Sequence, residues 1–400
     1  MDWRKLIDEN GHAEIPYGTT EIEYSAFQHC SNLRSVEIPN TVITIGAHAF
    51  CICINLSFAE LPNSVVNIES HAFAYCENIE VMEFPQSVKT IGLDAFYRCK
   101  KLTRIDLPDS IVSLGSGAFS DCDKLENVTL PEGLDCIKSY CFSGCVMLKS
   151  IVFPEGLKEV KSMAFHKCEQ LTSIYFGKSI KYLQGDIFCG SGLKEITISP
   201  ENPYFTSENN CCLSKWQSKL VFGCNTSIIP NEVKTIGAHA FDGCKLLVNI
   251  DIPSSVTRIE DFAFRDCSGL QRIDVSGQNV FVGKQAFGHC VSISSINIPN
   301  LKWIGELAFA GCKNLKDIDI SSNVKTIGDV FLSGCVNLKQ ISYHTNKENP
   351  ADVESIVNKL LENERKEPLL KLFVPIGCGY AYRHYQFSKP IKEIVTERIQ

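Results

Sequence analysis

Apolar residues recur along this chain with a period of 23 residues, and polar positions keep fixed places between them. Phenylalanine marks the period most clearly, at Phe27, Phe50, Phe73, Phe96, Phe119, Phe142, Phe165 and Phe188, and again at Phe241, Phe264, Phe287 and Phe309. A strict period of this length is typical of a solenoid, in which each repeat forms one coil and stacks on the next. The pattern therefore predicts one elongated repeat architecture.

The common unit reads Leu-x-x-Ile-x-Ile-Pro-x-Ser-Val-x-x-Ile-Gly-x-x-Ala-Phe-x-x-Cys-x-x. Its first segment alternates apolar and polar residues, which predicts a short strand that the proline ends. A second apolar pair follows and is often closed by glycine, at Gly46, Gly92, Gly115, Gly237, Gly305 and Gly328. We expect these glycines to supply a positive φ at a tight corner. The Ala-Phe-x-x-Cys segment is expected to form one helical or 3-10 turn.

Two terminal segments fall outside the repeat. Residues 1–20 are expected to form an N-terminal cap, and 21–344 a solenoid of about 13 coils. Residues 345–400 predict a small C-terminal α+β cap, because Asn349-Pro350 is a good helix start and Pro368 a stop. The apolar face of that helix is Val353, Ile356, Val357, Leu360 and Leu361. Caps at both ends predict a monomer.

The interval from Phe188 to Phe241 holds 30 extra residues. Two apolar runs around a polar stretch within 199–227 predict a β-hairpin that projects from the solenoid edge. Trp216 lies near its tip, and exposed tryptophan is enriched at interfaces. The insertion is either purely structural or part of a binding site.

Cysteine is abundant, with 20 residues, and twelve of them occupy one repeat position. Side chains used once per coil are stacked about one strand spacing apart, which exceeds the Cβ separation of a disulfide. We therefore expect reduced, buried thiols that pack as small apolar groups. Ser191 takes this position in the eighth repeat. Cys211, Cys212 and Cys224 could instead pair or bind a metal, although no CxxC motif supports zinc.

Motifs for catalysis are missing from the sequence. No GxSxG, P-loop or HExxH motif occurs, so no catalytic, cofactor-binding or metal-binding residue is predicted. His48 and His71 stand one repeat apart and are better explained as tolerated polar positions than as a surface metal pair. The formal charge of −7, with no basic block or basic–aromatic stripe along the sequence, argues against a nucleic-acid partner.

The sequence gives little sign of a membrane or an export route. No run of 18 apolar residues exists, so no membrane insertion is expected. The first residues lack the apolar core of a signal peptide, which makes a cytoplasmic location the default. A secreted or cell-surface location is the alternative if a signal has been removed.

Candidate binding residues come from the strand segment. The residue between its last two apolar positions should face solvent on the concave side, and it is acidic near both ends of the array and neutral in the centre. We select as candidate partner-binding residues Val152, Tyr175, Thr129, Glu83, Asp106, Asp251 and Asp274, together with Trp216. They are read as a binding floor with acidic arms, although ordinary solvated strand positions would show the same pattern.

The repeat, with its Pro, Gly, Ala-Phe and Cys positions, resembles the BspA-like or treponemal-type leucine-rich repeat family across 21–344. The tail, from Phe373-Val374-Pro375 to Ile391–Val395, is similar to the closing segment of many bacterial members. The resemblance implies an α/β repeat, a curved leucine-rich-repeat solenoid with short strands on the concave face. It also implies a non-enzymatic protein–protein interaction scaffold, adhesin-like in several bacterial members. A carbohydrate-binding module on the concave face is the alternative.

Overall fold

The computed structural model of the chain describes residues 1–348, 350–360, 370–386 and 391–397. These residues form a solenoid of mostly parallel strands with about 16 turns, somewhat more than the 13 expected. The chain divides into two compact units, Met1–Ser207 and Glu208–Gln400, hereafter the first and second unit.

Strands lie on two sides of each coil. Face A is formed by the Leu-x-x-Ile-x-Ile segments and face B by the Val-x-x-Ile segments. Strands of successive coils pair in parallel with partners 23 residues apart, as in His12 with Ser35 on face A and Thr44 with Asn67 on face B. The register follows the sequence period because each coil uses the same positions for the same backbone bonds.

The first unit opens with a 3-10 helix at Trp3–Leu6. Its face A strands are His12–Glu14, Ser35–Glu37, Phe58–Ala59, Arg104–Asp106, Asn127–Thr129, Ser150–Ile151, Ser173–Phe176 and Glu195–Ile198. Its face B strands are Glu21–Ile22, Thr44–Ile45, Asn67–Ile68, Thr90–Ile91, Ser113–Leu114, Cys136–Ile137 and Glu159–Val160. The strand Phe205–Glu208 follows. Trp3 is buried and packs edge-on against Phe27, with 5.6 Å between ring centroids, so the N-terminal residues close the start of this stack.

The second unit begins with the strands Cys211–Ser214 and Lys219–Phe222. Its face B strands are Thr235–Ile236, Arg258–Ile259, Val280–Val282, Leu301–Ile304 and Thr326–Ile327. Its face A strands are Arg272–Asp274, Ser295–Asn297, Asp317–Ile320, Gln340–His344, Leu370–Pro375 and Glu393–Glu397. The helical segments are the 3-10 turn Pro350–Val353 and the α-helices Glu354–Leu360 and Gly379–His384.

A ladder of stacked phenylalanines forms the centre of each unit. In the first unit Phe27 and Phe50 lie 5.3 Å apart with ring planes within 4°, and the stacking continues to Phe188. In the second unit the ladder runs from Phe241 to Phe309. Each ring is buried, and each stacked pair adds about 0.5–1.5 kcal/mol beyond the burial of its area.

The Ala-Phe-x-x-Cys side of the coil is a series of turns, where one helical turn was expected. Residues two before and two after the phenylalanine are left-handed, as at Ser25 (φ 57°) and His29 (φ 64°), which stops a helix from propagating. Backbone N–H groups alternate in direction. Those of Ala26 and Gln28 bond within the coil, whereas those of Ser25, Phe27 and His29 bond carbonyls of the next coil. The turn side therefore carries a third hydrogen-bond ladder.

The glycines that close face B have a different role from the one predicted. Gly46, Gly92 and Gly115 do not have a positive φ. A Cβ on Gly115 would lie 2.2 Å from the backbone of Gly92, and one on Gly46 would lie 2.5 Å from the carbonyl oxygen of Ile22. Adjacent coils approach so closely at this corner that no side chain fits, and this contact selects glycine.

The insertion contains a hairpin, but the hairpin does not project as expected. Strands Cys211–Ser214 and Lys219–Phe222 pair antiparallel, and the second strand then pairs in parallel with Thr235–Ile236. Leu220 and Phe222 are fully buried. The apolar runs thus supply a rung of face B in the second unit, because burying them gains more than leaving them in solvent.

The C-terminal residues extend face A. Strand Leu370–Pro375 pairs with Gln340–His344, and Glu393–Glu397 pairs with Leu370–Pro375, both in parallel. The helix Glu354–Leu360 packs against the face B strand Thr326–Ile327 and buries Val357 and Leu360. Three positions of the helix expected here, Asn349, Leu361 and Pro368, lie outside the described residues. The tail motif residue Tyr382 is buried and donates its hydroxyl to the Lys347 carbonyl at 2.6 Å.

Candidate binding surfaces

Face A of the first unit carries five of the eight candidate residues in consecutive coils. Val152 is 79% exposed and Tyr175 is 46% exposed, whereas the buried isoleucines beside them point into the core. Glu83, Asp106 and Thr129 are also exposed. Strand register places Thr129 beside Asp106. The structure thus puts the neutral centre and one acidic arm of the predicted floor on a single face.

The acidic arm of the first unit is only partly available as free charge. Asp106 pairs with the Arg104 Nε at 2.5 Å and accepts a hydrogen bond from the Thr129 hydroxyl at 2.7 Å. The hydrogen bond from Arg104 holds the pKa of Asp106 below its usual range. Among the described residues, Glu37, Glu60 and Glu83 form no ion pair, so these three carboxylates remain available as free negative charge on this face.

Asp251 and Asp274 lie in the second unit. Asp274 repeats the arrangement of Asp106, because it pairs with the Arg272 Nε at 2.6 Å and accepts a bond from the Asn297 amide at 3.0 Å. Asp251 is exposed. Trp216 is 78% exposed in the turn between the two hairpin strands, as expected. The candidate residues therefore lie at three places: face A of the first unit, face A of the second unit and the hairpin turn. The apolar pair Val152 and Tyr175 lies on face A of the first unit.

Face A of the first unit has exposed apolar residues that the candidate set missed. Phe58 is 58% exposed and Val81 is 57% exposed, in neighbouring coils. Both lie directly before the buried residue of their strand segment. The same position holds Ser35 in the preceding coil and Arg104 in the following coil. The candidate residues on this face all come from the position after the buried strand residue. Reading both solvent-facing positions of every strand would have found them.

The cysteine ladder makes hydrogen bonds that its apolar interpretation did not include. The Cys53 thiol donates to the Phe27 carbonyl at 3.0 Å, and the Cys99 thiol donates to the Phe73 carbonyl at 3.4 Å. The bond recurs at Cys76, Cys122, Cys145, Cys168, Cys267, Cys290, Cys312 and Cys335. Most of these thiols thus give a second donor to a phenylalanine carbonyl that already accepts a backbone N–H of the phenylalanine's own coil, as Phe27 does from Cys30.

All twenty cysteines are free thiols, and all except the partly exposed Cys136 and Cys378 are buried. Burial raises the pKa of Cys53 to about 12, and burial together with Glu159 raises the pKa of Cys136 to about 11. The thiols of Cys53 and Cys136 are therefore protonated at neutral pH, which makes them poor nucleophiles and poor metal ligands. Cys211, Cys212 and Cys224 are buried and unpaired, and burial raises the pKa of Cys211 to about 12.

His48 and His71 stack with 4.7 Å between ring centroids and planes within 11°. In parallel stacked rings the nitrogen lone pairs run side by side in separate planes, whereas a shared metal needs them to converge. His71 also lies 3.4 Å from the Asp94 carboxylate. The pair therefore fits the packing explanation better than the metal one.

Among the described residues, no helix combines the length and the apolar character that crossing a bilayer requires.

Known proteins share this architecture. A leucine-rich repeat protein from Bacteroides ovatus is 26% identical, with a TM-score of 0.61 over 97% of this chain and 92% of that one. A leucine-rich cell surface protein from Faecalibacterium prausnitzii (21%, TM-score 0.55, 98% and 89%) and the pneumococcal vaccine antigen PcpA (18%, 0.55, 98% and 96%) share the fold. No significant match was found among curated proteins.

The family model for the BspA type leucine rich repeat region matches residues 10–122, 89–211 and 222–339. These matches span most of the chain and include the twelve phenylalanines of the ladder. The chain therefore belongs to the BspA-type leucine-rich repeat family.

Proposed function

We propose that this chain is a protein-binding scaffold and that face A of its first unit is the docking surface. The observation that carries the proposal is the exposure of four large apolar side chains on one face. Phe58, Val81, Val152 and Tyr175 are each between 46% and 79% exposed there. Phe58 with Val81, and Val152 with Tyr175, form two exposed apolar pairs in neighbouring coils, and adjoining apolar side chains mark an interaction surface more often than single ones do.

Charge on the same face adds selectivity. Glu37, Glu60 and Glu83 have no ion-pair partner among the described residues and lie in consecutive coils at one end of the face. Carboxylates at the rim of an interface mainly affect the association rate and the choice of partner. The expected partner is therefore a protein that offers an apolar patch bordered by lysine or arginine.

The proposal is tested with the intact chain carrying a photo-crosslinking amino acid in place of Val152, and a control carrying it in place of Val112. Val112 is 70% exposed but lies beside the face B strand Ser113–Leu114. We expect a partner, identified by mass spectrometry, to crosslink through position 152 and not through 112.

Affinity for the purified partner gives the second readout. Val152→Glu with Tyr175→Glu should weaken binding at least about tenfold, whereas Val112→Glu should leave it unchanged. Equal crosslinking at both positions, or unchanged affinity in the double variant, would move the site off face A.

An adhesin-like role is a narrower proposal within this one. Its support is that the Faecalibacterium protein of the same fold is described as a cell surface protein. Antibody labelling of intact cells tests it, because an adhesin must be reachable from outside and a cytoplasmic scaffold is labelled only after lysis.

A neutral carbohydrate on face A is the weaker alternative. Stacking on sugar rings favours neighbouring aromatic side chains, and Phe58 and Tyr175 lie five coils apart on this face. Binding of a neutral oligosaccharide that Tyr175→Ala abolishes would favour it over a protein partner.

A further inference from the structure

Face B of the second unit carries an aromatic row that the first unit lacks. Strand register aligns Thr235, Arg258, Phe281, Trp303 and Thr326 in successive coils. The Arg258 guanidinium lies 4.3 Å above the Phe281 ring, and Phe281 and Trp303 are 6.0 Å apart. Trp303 is 46% exposed. The same row of the first unit is polar, with Thr44, Asn67, Thr90 and Ser113.

Unneutralised cations border this row. Lys234 and Lys325 are exposed, and the Lys302 ammonium contacts only the Asn279 side-chain oxygen, at 3.3 Å. Among the described residues, none of these lysines nor Arg258 forms an ion pair with a carboxylate. In the first unit, Lys158 at the equivalent position pairs with Asp135 at 3.4 Å, whereas Lys89 forms no ion pair with a described carboxylate but has no aromatic residue beside it in its row.

The net charge of the second unit does not oppose an anionic ligand. Residues 208–400 contain 22 lysines and arginines against 20 aspartates and glutamates, whereas residues 1–207 contain 17 against 26. An anion approaching face B of the second unit therefore meets local positive charge without strong repulsion from the rest of that unit.

Successive coils join closely beside the aromatic row. Gly283 and Gly305 follow Phe281 and Trp303 by two positions, so they belong to the same face of their strands. A Cβ on Gly305 would lie 2.4 Å from the Gly283 backbone, which shows how closely the coils join there. The surface open to a ligand is therefore the row of side chains itself, which a long ligand can follow across successive coils with its rings against the aromatic side chains.

We propose that this row binds an acidic polysaccharide, one that carries carboxylate or sulfate groups. The exposed face of Trp303 would stack on the C–H face of a sugar ring, Lys234, Lys302 and Lys325 would bind the anionic groups, and Thr235 and Thr326 would bond hydroxyls. This site lies on a different face and unit from the protein-docking surface proposed above.

Two other anionic polymers fit the geometry less well. Single-stranded nucleic acid uses parallel aromatic platforms, but Arg258 covers one side of Phe281 and the rings are tilted by 39°. An acidic peptide that adds as a strand needs an unpaired strand edge, but the strands from Thr235–Ile236 to Leu301–Ile304 pair on both sides. The last strand, Thr326–Ile327, is packed against the helix Glu354–Leu360.

The experiment titrates the intact chain with a size-defined heparin oligosaccharide and an oligogalacturonate. Neutral cello-oligosaccharide, poly-glutamate and oligo-dT are the comparisons. We expect at least one acidic oligosaccharide to bind, with affinity that falls as salt rises. Trp303→Ala and the pair Lys302→Ala with Lys325→Ala should each weaken binding about tenfold or more.

Matched controls separate the site from general surface effects. Tyr380→Ala removes another exposed aromatic side chain of the same unit, and Lys89→Ala removes an exposed lysine at the corresponding position of the first unit; both should bind like the parent. Thermal melting confirms that each variant is folded.

Several results would overturn the proposal. These are no binding of either acidic oligosaccharide, unchanged affinity in the Trp303 and lysine variants, equal binding of the neutral oligosaccharide, or tighter binding of poly-glutamate or oligo-dT.

Discussion

At the scale of single residues, the ladder thiols are hydrogen-bond donors and not only small apolar groups. Cys99→Ser keeps a donor within reach of the Phe73 carbonyl, and Ser191 already occupies the equivalent position, so the change should be mild. Cys99→Ala loses the bond and a buried atom, and should cost about 1–2 kcal/mol more. Urea unfolding of the two variants measures the difference, and an alanine variant as stable as the serine variant would contradict it.

Burial of the thiols also predicts loss of stability at alkaline pH. An unfolded cysteine has a pKa near 8.5, whereas the folded pKa of Cys53 is about 12. Above the unfolded pKa the unfolded chain releases protons that the folded chain keeps, so the free energy of unfolding should fall between about pH 8.5 and 12. Urea midpoints at neutral pH and near pH 10 check this. Cys53→Ser should show a shallower decline than the parent.

Glycine substitutions distinguish close coil packing from conformational freedom. Gly115→Ala would place a Cβ 2.2 Å from Gly92 and should destabilise by about 1–3 kcal/mol or more. Gly133→Ala is the matched control, since no atom lies within 4 Å and its φ is not positive; it should be neutral or slightly stabilising. Thermal melts of both variants compare them, and equal melting temperatures would refute the packing argument.

At this scale the sequence predicts which residues are buried more reliably than it predicts which contacts require a particular residue type at a position. The period of the phenylalanines predicts the core, and the period of the cysteines predicts thiols that are reduced and buried. The bond from Cys99 to Phe73, and the closeness of Gly115 to Gly92, depend on the distance between coils. A repeat pattern gives the order of coils but not that distance.

At the scale of elements, the hairpin of the second unit is part of the sheet. The sequence alone predicts that 199–227 can be removed, because Phe188 and Phe241 would return to a spacing of 23. The structure leads us to expect the opposite. Deleting 199–227 removes the partner strand of Thr235–Ile236 and uncovers buried core, so the variant should be insoluble or melt without cooperativity.

Shortening only the turn is the control for that deletion. Replacing Lys215–Ser218 with Asn-Gly keeps both strands and supplies a two-residue hairpin turn. It should melt within a few degrees of the parent. If the full deletion melts as cooperatively as this variant, the hairpin is an appendage after all.

The hairpin also shows where sequence reasoning about elements ends. Apolar runs around Ser214–Lys219 predicted two strands, but a strand pattern does not say which neighbour each strand will join. Likewise, the exposed row through Phe281 and Trp303 follows from reading both solvent-facing positions of each strand in all repeats. The lysines of face B, among them Lys234, Lys302 and Lys325, form a basic stripe that the sequence alone shows, but the aromatic residues beside them emerge only when the next position is aligned across the coils.

At the scale of the whole molecule, charge is unevenly divided between the two units. If the partner at face A is basic, Glu37, Glu60 and Glu83 together should speed its association. Changing all three to glutamine should lower the association rate several-fold and flatten its salt dependence, with little change in dissociation. Glu232→Gln, in the second unit, is the control. Stopped-flow or surface-plasmon kinetics would decide, and a change confined to dissociation would contradict the steering role.

The third hydrogen-bond ladder, on the turn side, has a consequence for how this chain can change its length. Where the phenylalanine interval shortens to 22, the bonds from Phe287 to Ala308 and from His289 to Ala310 keep their usual pattern. The missing residue is instead absorbed on face B, where the register shifts between Val280 and Phe281. The fold should therefore tolerate single-residue insertions and deletions in the strands and at their corners, but not in the turns. A larger insertion should be tolerated only if it forms strands that pair with the sheet, as the hairpin does.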